Sequence, residues 1–149
     1  MREKRSGMII NISSMAAPLS IPFQLFYSAS KSAVNSLTLA LANEVRPFGI
    51  KVCAVMPGDV KTGFTAAREK DSDSGAYSAV LSKSVSTMEH DEENGMSPDV
   101  IAKAVFTLSQ KKNPKPVSTV GLQYKTFALL SKLLPTRAVN YIIGQLYAK

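Results

Sequence analysis

Two short apolar runs, residues 8–12 and residues 50–55, have the pattern of strands that are buried on both faces. Neither run alternates regularly between apolar and polar positions. Strands of a parallel sheet have this pattern, because helices cover both faces of such a sheet. The two runs therefore predict two parallel strands.

The segment between the runs, residues 27–46, has the pattern of an amphipathic helix. Its larger apolar side chains recur at steps of three and four and fall on one face: Val34, Leu37, Leu41 and Val45. Pro47 and Gly49 end the helix. A strand, a helix and a strand of these lengths form a βαβ unit, which predicts a right-handed crossover between parallel strands.

The rest of the chain shows weaker patterns. Ser97 followed by Pro98 is typical of a helix start, with the serine as N-cap and the proline at the first helical position. Short helices are expected within the polar residues 65–97, with a solvated acidic patch at residues 91–93. The remaining elements are predicted as a helix at residues 98–109, a short edge strand at 117–120, and helices at 123–134 and 135–147.

The start of the chain is basic. Residues 2–5, followed by Gly7, have the composition of the last turn of a helix, because cations favour a helix C-terminus and glycine favours the position after it. This predicts a truncated gene product whose first element is the end of a helix. A plain basic tail is the alternative interpretation.

The composition is that of a globular domain, with 45% apolar and 19% charged residues. The net charge of +7 is unevenly placed, since residues 100–149 contain eight Lys or Arg and no Asp or Glu. A solvated basic face is one interpretation, and an acidic partner, a membrane surface or nucleic acid are the others. Because the basic residues surround no recognisable nucleic-acid module, we expect no nucleic-acid partner.

Other functional classes have little support. No apolar stretch approaches the ~20 residues of a membrane-spanning helix, and no secretory signal is visible, so the cytoplasm is the expected compartment. Cys53 lies in an apolar run and is expected to be a small buried hydrophobe. His90 is the single histidine and has too few convergent ligands around it, so no metal site is expected.

Tyr27 and Lys31 are four residues apart at the start of the predicted helix, which places both side chains on one face. A lysine ammonium beside a phenol favours the phenolate, so such a pair exchanges protons closer to neutral pH than an isolated tyrosine does. The spacing alone is common in proteins. Its context is informative, because the pair follows a loop from the carboxyl end of a buried strand, where open α/β sheets bind ligands.

Two further segments are expected at the same edge of the sheet. Ser14 leaves the first strand thirteen residues before Tyr27. Residues 57–62 leave the second strand, and Gly58 allows a ligand to approach the backbone closely. Taken alone, Ser14 is equally well explained as a loop hydroxyl that bonds local backbone, and Thr62 as a helix cap.

Together these segments resemble the short-chain dehydrogenase/reductase family. The resemblance rests on three motifs in this order and spacing: Asn11-Ile12-Ser13-Ser14, Tyr27-Ser28-Ala29-Ser30-Lys31 and Pro57-Gly58-x-Val60-x-Thr62. It is specific from residue 7 to residue 65, and beyond that the chain is only compatible with the family.

The resemblance implies hydride transfer between NAD or NADP and a small carbonyl or alcohol substrate. Tyr27 is then the general acid/base, and Lys31 assists it and binds the nicotinamide ribose. Ser14 holds and polarises the substrate carbonyl. Ser13 is the weaker candidate, because the thirteen-residue spacing to Tyr27 favours Ser14.

The resemblance also assigns the cofactor contacts. Besides Tyr27 and Lys31, backbone groups around Pro57, Gly58 and Val60 are expected to meet the nicotinamide. The Thr62 hydroxyl is expected to reach its carboxamide or the pyrophosphate. The cofactor supplies the hydride, and the protein supplies orientation and the proton.

The family's Gly-rich turn, which holds the dinucleotide phosphates, has no match among the scattered glycines. The residue that selects NAD or NADP and the asparagine of the family's proton relay also have no counterpart here. We therefore expect an α/β fold, a partial Rossmann-type doubly wound parallel sheet that lacks the N-terminal Gly-rich half. It occupies residues 1–120, and its unpaired edge predicts marginal folding and weak dinucleotide binding by this chain alone.

Residues 121–149 form a predicted helical C-terminal extension that is apolar and basic. It is interpreted as a lid over a lipophilic carbonyl substrate such as a steroid, retinoid or fatty-chain compound, as a helix on an anionic membrane, or as packing on the domain or a subunit interface. The helix at 27–46 is a candidate homo-oligomer face. Two alternatives to an oxidoreductase are a truncated non-catalytic remnant or binding module, and a membrane-surface protein.

Overall fold

The computed structural model describes residues 1–64, 67 and 75–148. In that part of the chain, three strands form one parallel sheet in the order β1-β2-β3. The strands are β1 Gly7–Ile12, β2 Ile50–Met56 and β3 Val117–Thr119. The predicted strands are confirmed, with bounds that differ by one residue.

The helices are α1 Leu25–Val45, α2 Ser78–Glu93, α3 Pro98–Ser109, α4 Leu122–Leu133 and α5 Thr136–Tyr147. Short 3-10 turns, Arg46–Phe48 and Gly75–Tyr77, precede β2 and α2. The α3 prediction is confirmed at both ends, and the Ser97 side chain accepts a hydrogen bond from the Asp99 N–H, as an N-cap does. The α4 and α5 predictions differ from the structure by one residue.

Helices cover both faces of the sheet, as the predominantly apolar sequence of β2 predicted. Cys53 and Val55 of β2 pack with Leu108 of α3 in one buried cluster. On the other face, the Asn35 side chain of α1 contacts the sulfur of Met56. The α/β prediction is therefore confirmed. Cys53 is fully buried, as expected, and burial raises the pKa of its thiol.

The predicted apolar face of α1 differs from the structure at one position, since Val34, Leu41 and Val45 are half-buried but Leu37 is not. Leu37 is 57% exposed, whereas the neighbouring Thr38 is fully buried. The Thr38 hydroxyl donates to the Val34 carbonyl oxygen and accepts a hydrogen bond from the Asn11 amide, at 2.7 and 2.8 Å. These two bonds compensate for burying a polar side chain, so threonine takes the position that hydrophobicity alone assigned to leucine.

One long helix, α2, stands where short helices were expected. It runs over sixteen residues and buries Ser84 and Met88. Its apolar positions are sparse, and it packs against α5. Tertiary packing therefore supplies the stabilisation that its sequence pattern does not indicate. Residues 65, 66 and 68–74 of the same predicted segment lie outside the described residues.

The basic start forms a turn rather than a helix. The Arg5 N–H bonds the Arg2 carbonyl, and the Ser6 N–H bonds the Met1 carbonyl. Arg5 has a φ of 47°, the left-handed conformation. This hydrogen-bond pattern is that of a helix C-terminus, but Arg5, not Gly7, occupies the left-handed position, and Gly7 opens β1.

Candidate functional site

The carboxyl ends of β1 and β2 bring two loops of the chain side by side. Ile12 and Val55 are register partners at the ends of these strands. Beyond them, the Ser13 N–H donates to the Val55 carbonyl at 2.8 Å, and the Met15 N–H donates to the Pro57 carbonyl at 2.9 Å. The loop that carries Ser14 is therefore fixed against the loop that carries Gly58.

Lys31 ties the start of α1 to the end of β1. Its ammonium donates to the Ile12 carbonyl oxygen at 3.1 Å, and the Ser13 hydroxyl donates to the Lys31 carbonyl oxygen at 3.1 Å. An ammonium has three donors, so the bond to Ile12 leaves two for other partners. Lys31 is thus positioned at the strand end with hydrogen-bonding capacity to spare.

Tyr27 lies one helical turn before Lys31 and is half-buried. The Lys31 ammonium is 5.6 Å from the centroid of the Tyr27 ring, within the range of a cation–π interaction. The Phe64 ring contacts the Tyr27 ring, and their centroids are 6.0 Å apart. The spacing of four residues therefore brings the phenol and the ammonium together, as predicted.

The two serines after β1 have different surroundings. Ser13 is 2% exposed, and its hydroxyl is used to hold the Lys31 carbonyl. Ser14 is only half-buried, and its hydroxyl oxygen accepts a hydrogen bond from the Ala16 N–H at 3.1 Å. Accepting that bond leaves the proton of Ser14 available for donation. Binding a substrate carbonyl requires a hydroxyl proton that is available for donation, and of these two serines Ser14 meets that requirement.

Two serines that the sequence analysis passed over hold the loop between β1 and α1. The buried Ser28 hydroxyl accepts a hydrogen bond from the Ile21 N–H, and the Ser32 hydroxyl donates to the Ala17 carbonyl at 2.8 Å. Both lie in or beside the Tyr27-to-Lys31 motif, where side-chain hydroxyls on a helix start are a usable signal for loop anchoring.

The loop after β2 runs beside the segment that precedes α3. Val60 pairs with Met96 in an isolated parallel bridge. The Met96 N–H donates to the Asp59 carbonyl and the Lys61 N–H donates to the Met96 carbonyl, both at 2.9 Å. Thr62 is exposed, and its hydroxyl accepts a hydrogen bond from the Phe64 N–H at 3.2 Å. Backbone bonds therefore define the path of this loop.

Asp59 and Tyr124 form a contact that no sequence pattern indicated. The Tyr124 hydroxyl donates to Asp59 Oδ2 at 2.7 Å across 65 residues of sequence. The Tyr124 ring also packs on Gly58, where an added Cβ would lie 2.2 Å from the ring. Because the two residues lie so far apart in sequence, only the tertiary structure reveals the contact.

Burial raises the pKa of Asp59, and the negative charge of Asp91 raises it further, while the hydrogen bond from Tyr124 opposes both. The pKa of Tyr124 is raised by burial and then by its hydrogen bond to Asp59. The pKa of Tyr147 is also raised, first by burial and then by Asp91, whose carboxylate accepts the Tyr147 hydroxyl at 3.3 Å. Both tyrosines therefore remain protonated donors toward carboxylates.

All of the predicted site residues line one cavity of about 1470 Å³, namely Ser14, Tyr27, Lys31, Pro57, Gly58, Val60 and Thr62. Its walls come from α2, α3, α4 and α5, and most of their contributions are apolar. Asp91, assigned by sequence to a solvated acidic patch, is instead half-buried and lines this cavity. For Asp91 that expectation was wrong, because α5 packs over α2 and the Tyr147 hydroxyl bonds the carboxylate. Glu93 of the same patch is exposed, as expected.

The residues present fit the nicotinamide end of a dinucleotide. Lys31 has spare donors at the strand end. The loop over residues 57–62 is held open to the cavity by bonds made through its backbone. Within the described residues, no group of acidic, histidine or cysteine side chains is arranged to hold a metal ion. In the same part of the chain, no helix is long and apolar enough to cross a bilayer.

Comparisons with known proteins identify the family to which this chain is similar. The short chain dehydrogenase family model matches residues 1–73, the segment that contains every predicted site residue. A 3-ketodihydrosphingosine reductase of Bacteroides thetaiotaomicron is 41% identical over 152 aligned residues, which cover 99% of this chain and 56% of that protein. An NADPH-dependent 3-dehydrocapnine reductase of Ornithobacterium rhinotracheale is 30% identical, and the alignment covers 93% of this chain and 50% of that protein.

A solved structure gives the same result. A short-chain dehydrogenase from Streptomyces avermitilis superposes with a TM-score of 0.71 at 31% identity, over 93% of this chain and 50% of that one. The chain thus spans about half the length of the relatives it matches. The resemblance drawn from the three sequence motifs is confirmed, and the chain belongs to the short-chain dehydrogenase/reductase family.

Proposed function

We propose that this chain carries the acid/base machinery of an NAD(P)-dependent oxidoreductase that interconverts a carbonyl and an alcohol. The observation that supports this most directly is the convergence of Ser14, Tyr27 and Lys31 on one cavity, beside the loop that follows β2. Its membership in an oxidoreductase family is consistent with the proposal.

Tyr27 is the proposed general acid/base. In the direction of reduction, its hydroxyl gives a proton to the carbonyl oxygen as the carbonyl carbon gains a hydride, and the reverse transfers apply in oxidation. The nicotinamide, when bound, supplies or accepts that hydride. The Lys31 ammonium, 5.6 Å from the Tyr27 ring centroid, stabilises the phenolate that proton donation leaves.

Ser14 is proposed to hold the substrate carbonyl. Its oxygen accepts the Ala16 N–H, so its own proton is left for a substrate acceptor. A hydrogen bond to the carbonyl oxygen fixes the substrate beside Tyr27 and polarises the bond that is reduced.

The loop after β2 is the proposed seat of the nicotinamide. Backbone groups of Pro57, Gly58 and Val60 and the Thr62 hydroxyl line the cavity on the side of β2. Lys31 reaches the adjoining ribose with its remaining donors. These residues meet only the end of the dinucleotide that NAD and NADP share, so either cofactor fits.

A long-chain ketone is the substrate class that the cavity fits best. Ligand pockets commonly measure about 300–1,000 Å³, and this cavity is larger, at about 1470 Å³, with mostly apolar walls. Two relatives are named for reduction of 3-ketodihydrosphingosine and 3-dehydrocapnine. We infer a lipophilic ketone of this kind, with its carbonyl at Tyr27 and its chain between α4 and α5.

A chimaera tests the assignment. This chain replaces the matched segment of the Bacteroides relative, and reduction of 3-ketodihydrosphingosine is followed with NADH and with NADPH. Tyr27→Phe should lower turnover by about 10²–10⁴-fold, the contribution of a positioned acid, while cofactor binding is retained. Tyr141→Phe, at a position 67% exposed on α5, is the matched control. Full turnover by Tyr27→Phe would show that the acid lies elsewhere.

A further inference from the structure

The outward face of α4 carries a stripe of exposed leucines. Leu122, Leu129 and Leu133 are spaced by seven and four residues, which places them on one side of the helix. They are 82%, 57% and 70% exposed. The opposite side of α4 is buried through Tyr124 and Ala128. The stripe is therefore an apolar surface that the described fold leaves uncovered.

Basic side chains border this leucine stripe. Lys125 and Lys132, seven residues apart, lie along one flank of it and are exposed. No acidic residue occurs anywhere in residues 100–149. An apolar stripe flanked by lysines is complementary to a bilayer surface that contains anionic lipids, where leucines enter the acyl boundary and ammonium groups meet headgroup phosphates.

The cavity opens beside the stripe. Leu130 of α4 and Leu134, the residue that follows α4, are the neighbours of Leu129 and Leu133; both line the cavity and are still 43% and 38% exposed. Ile142 and Leu146 of α5 continue this apolar rim, at 46% and 57% exposed. If the leucine stripe lies in lipid, the rim of the cavity therefore lies at the acyl boundary of the bilayer as well.

A second copy of the chain is a poorer occupant. Closed dimers form through identical patches, so pairing the stripe with itself in an antiparallel arrangement would bring Lys125 and Lys132 to the same side as their counterparts. Like charges in such an interface oppose association. An anionic bilayer buries the same leucines, and its headgroup phosphates pair with the lysines.

We propose that the leucine stripe of α4 and its flanking lysines dock the protein on an anionic membrane surface. The helix lies in the plane of the interface, and the rim of the cavity faces the lipid. Docking requires neither cofactor nor substrate, so it stands or fails independently of the proposed function.

Co-sedimentation with vesicles tests the proposal. The full chain is mixed with vesicles of phosphatidylglycerol and phosphatidylcholine in equal parts, and with phosphatidylcholine alone, at low salt. Binding to the anionic vesicles is expected to exceed binding to the neutral ones. Lys125→Gln combined with Lys132→Gln should weaken it by about 25-fold, or about fivefold for each lysine.

Matched controls separate the surface from net charge and from general apolarity. Lys111→Gln with Lys112→Gln removes the same charge at exposed positions beside Lys51, at the far end of β2, and should leave binding unchanged. Leu129→Gln with Leu133→Gln should abolish binding, whereas Leu37→Gln with Leu39→Gln, at comparably exposed positions on α1, should not. Circular dichroism establishes that each variant keeps its helices.

Three outcomes overturn the proposal. One is sedimentation that does not depend on anionic lipid. Another is equal loss of binding in the two lysine pairs, which would indicate a response to net charge. The third is self-association without lipid that the leucine pair on α4 abolishes, which would identify a second copy as the occupant. If the leucine variants do not fold, the lysine pairs decide.

Discussion

The Tyr124 hydroxyl on α4 donates a 2.7 Å hydrogen bond to Asp59 in the loop after β2. The bond joins the C-terminal helices to the loop that we propose holds the nicotinamide. The Tyr124 ring reinforces the connection by packing on Gly58, the neighbour of Asp59. A displacement of α4 therefore displaces the cofactor loop, which links the outer surface of the protein to its candidate site.

Tyr124→Phe is expected to destabilise the protein by about 1–3 kcal/mol, because it keeps the ring but leaves a half-buried carboxylate without its donor. The thermal midpoint of the variant should fall accordingly. Tyr141→Phe removes an exposed hydroxyl from α5 and should leave the midpoint unchanged. Equal midpoints for the two variants would mean that the Tyr124 bond contributes nothing.

Gly58→Ala is expected to cost about 1–3 kcal/mol, since overpacking forces neighbours to move. The new methyl would lie 2.2 Å from the Tyr124 ring, so the loop or α4 must shift. Gly144→Ala provides a control of opposite sign, because that position on α5 has no atom within 4 Å of an added Cβ. Alanine there should stabilise the helix by about 0.8–1 kcal/mol. If Gly144→Ala destabilised the protein and Gly58→Ala did not, the close packing of Tyr124 on Gly58 and the open space at Gly144 would both be contradicted.

Asp59→Asn should increase stability at neutral pH. The amide oxygen still accepts the Tyr124 hydroxyl, while the charge that burial and Asp91 disfavour is removed. A raised folded-state pKa means that the folded protein binds this proton more tightly than the unfolded chain, so stability falls as pH rises through that pKa. The variant should therefore melt above the parent at neutral pH, and the difference should vanish below about pH 4. Lower stability of the variant at neutral pH would contradict the assigned sign.

The chain alone is expected to fold marginally and to bind dinucleotide weakly. In the described part, β1 pairs with β2 on one side only, and Ile12 at its end is 47% exposed. The proposed site residues would meet only the nicotinamide end of the cofactor, and an unpaired strand edge with exposed apolar side chains lowers stability. Thermal melts with NADH and NADPH check this, with a low midpoint indifferent to both as the expected result. A cooperative melt raised by one cofactor would show that this half forms a working site.

The sequence alone determined the central βαβ unit, and the resemblance of its three motifs to a known family implied the set of candidate site residues. Short apolar runs without regular alternation define strands that are buried on both faces, and the spacing of Tyr27 and Lys31 defines their common helical face. Since parallel strands end at one edge of a sheet, the loops with Ser14 and Gly58 could be placed together before the structure was known. The strands and the helix between them could be predicted because their signals are local patterns of apolar and polar positions.

The tertiary structure decided what depends on distant partners. Thr38, rather than Leu37, is buried in the core, because Asn11, 27 residues away, supplies a hydrogen bond. α2 became one helix because α5 packs against it. The Asp59–Tyr124 contact joins residues 65 apart in sequence, and it requires that α4 return to the edge where β2 ends. No local pattern encodes such contacts, because their free energy comes from burial and pairing that exist only once the chain has folded.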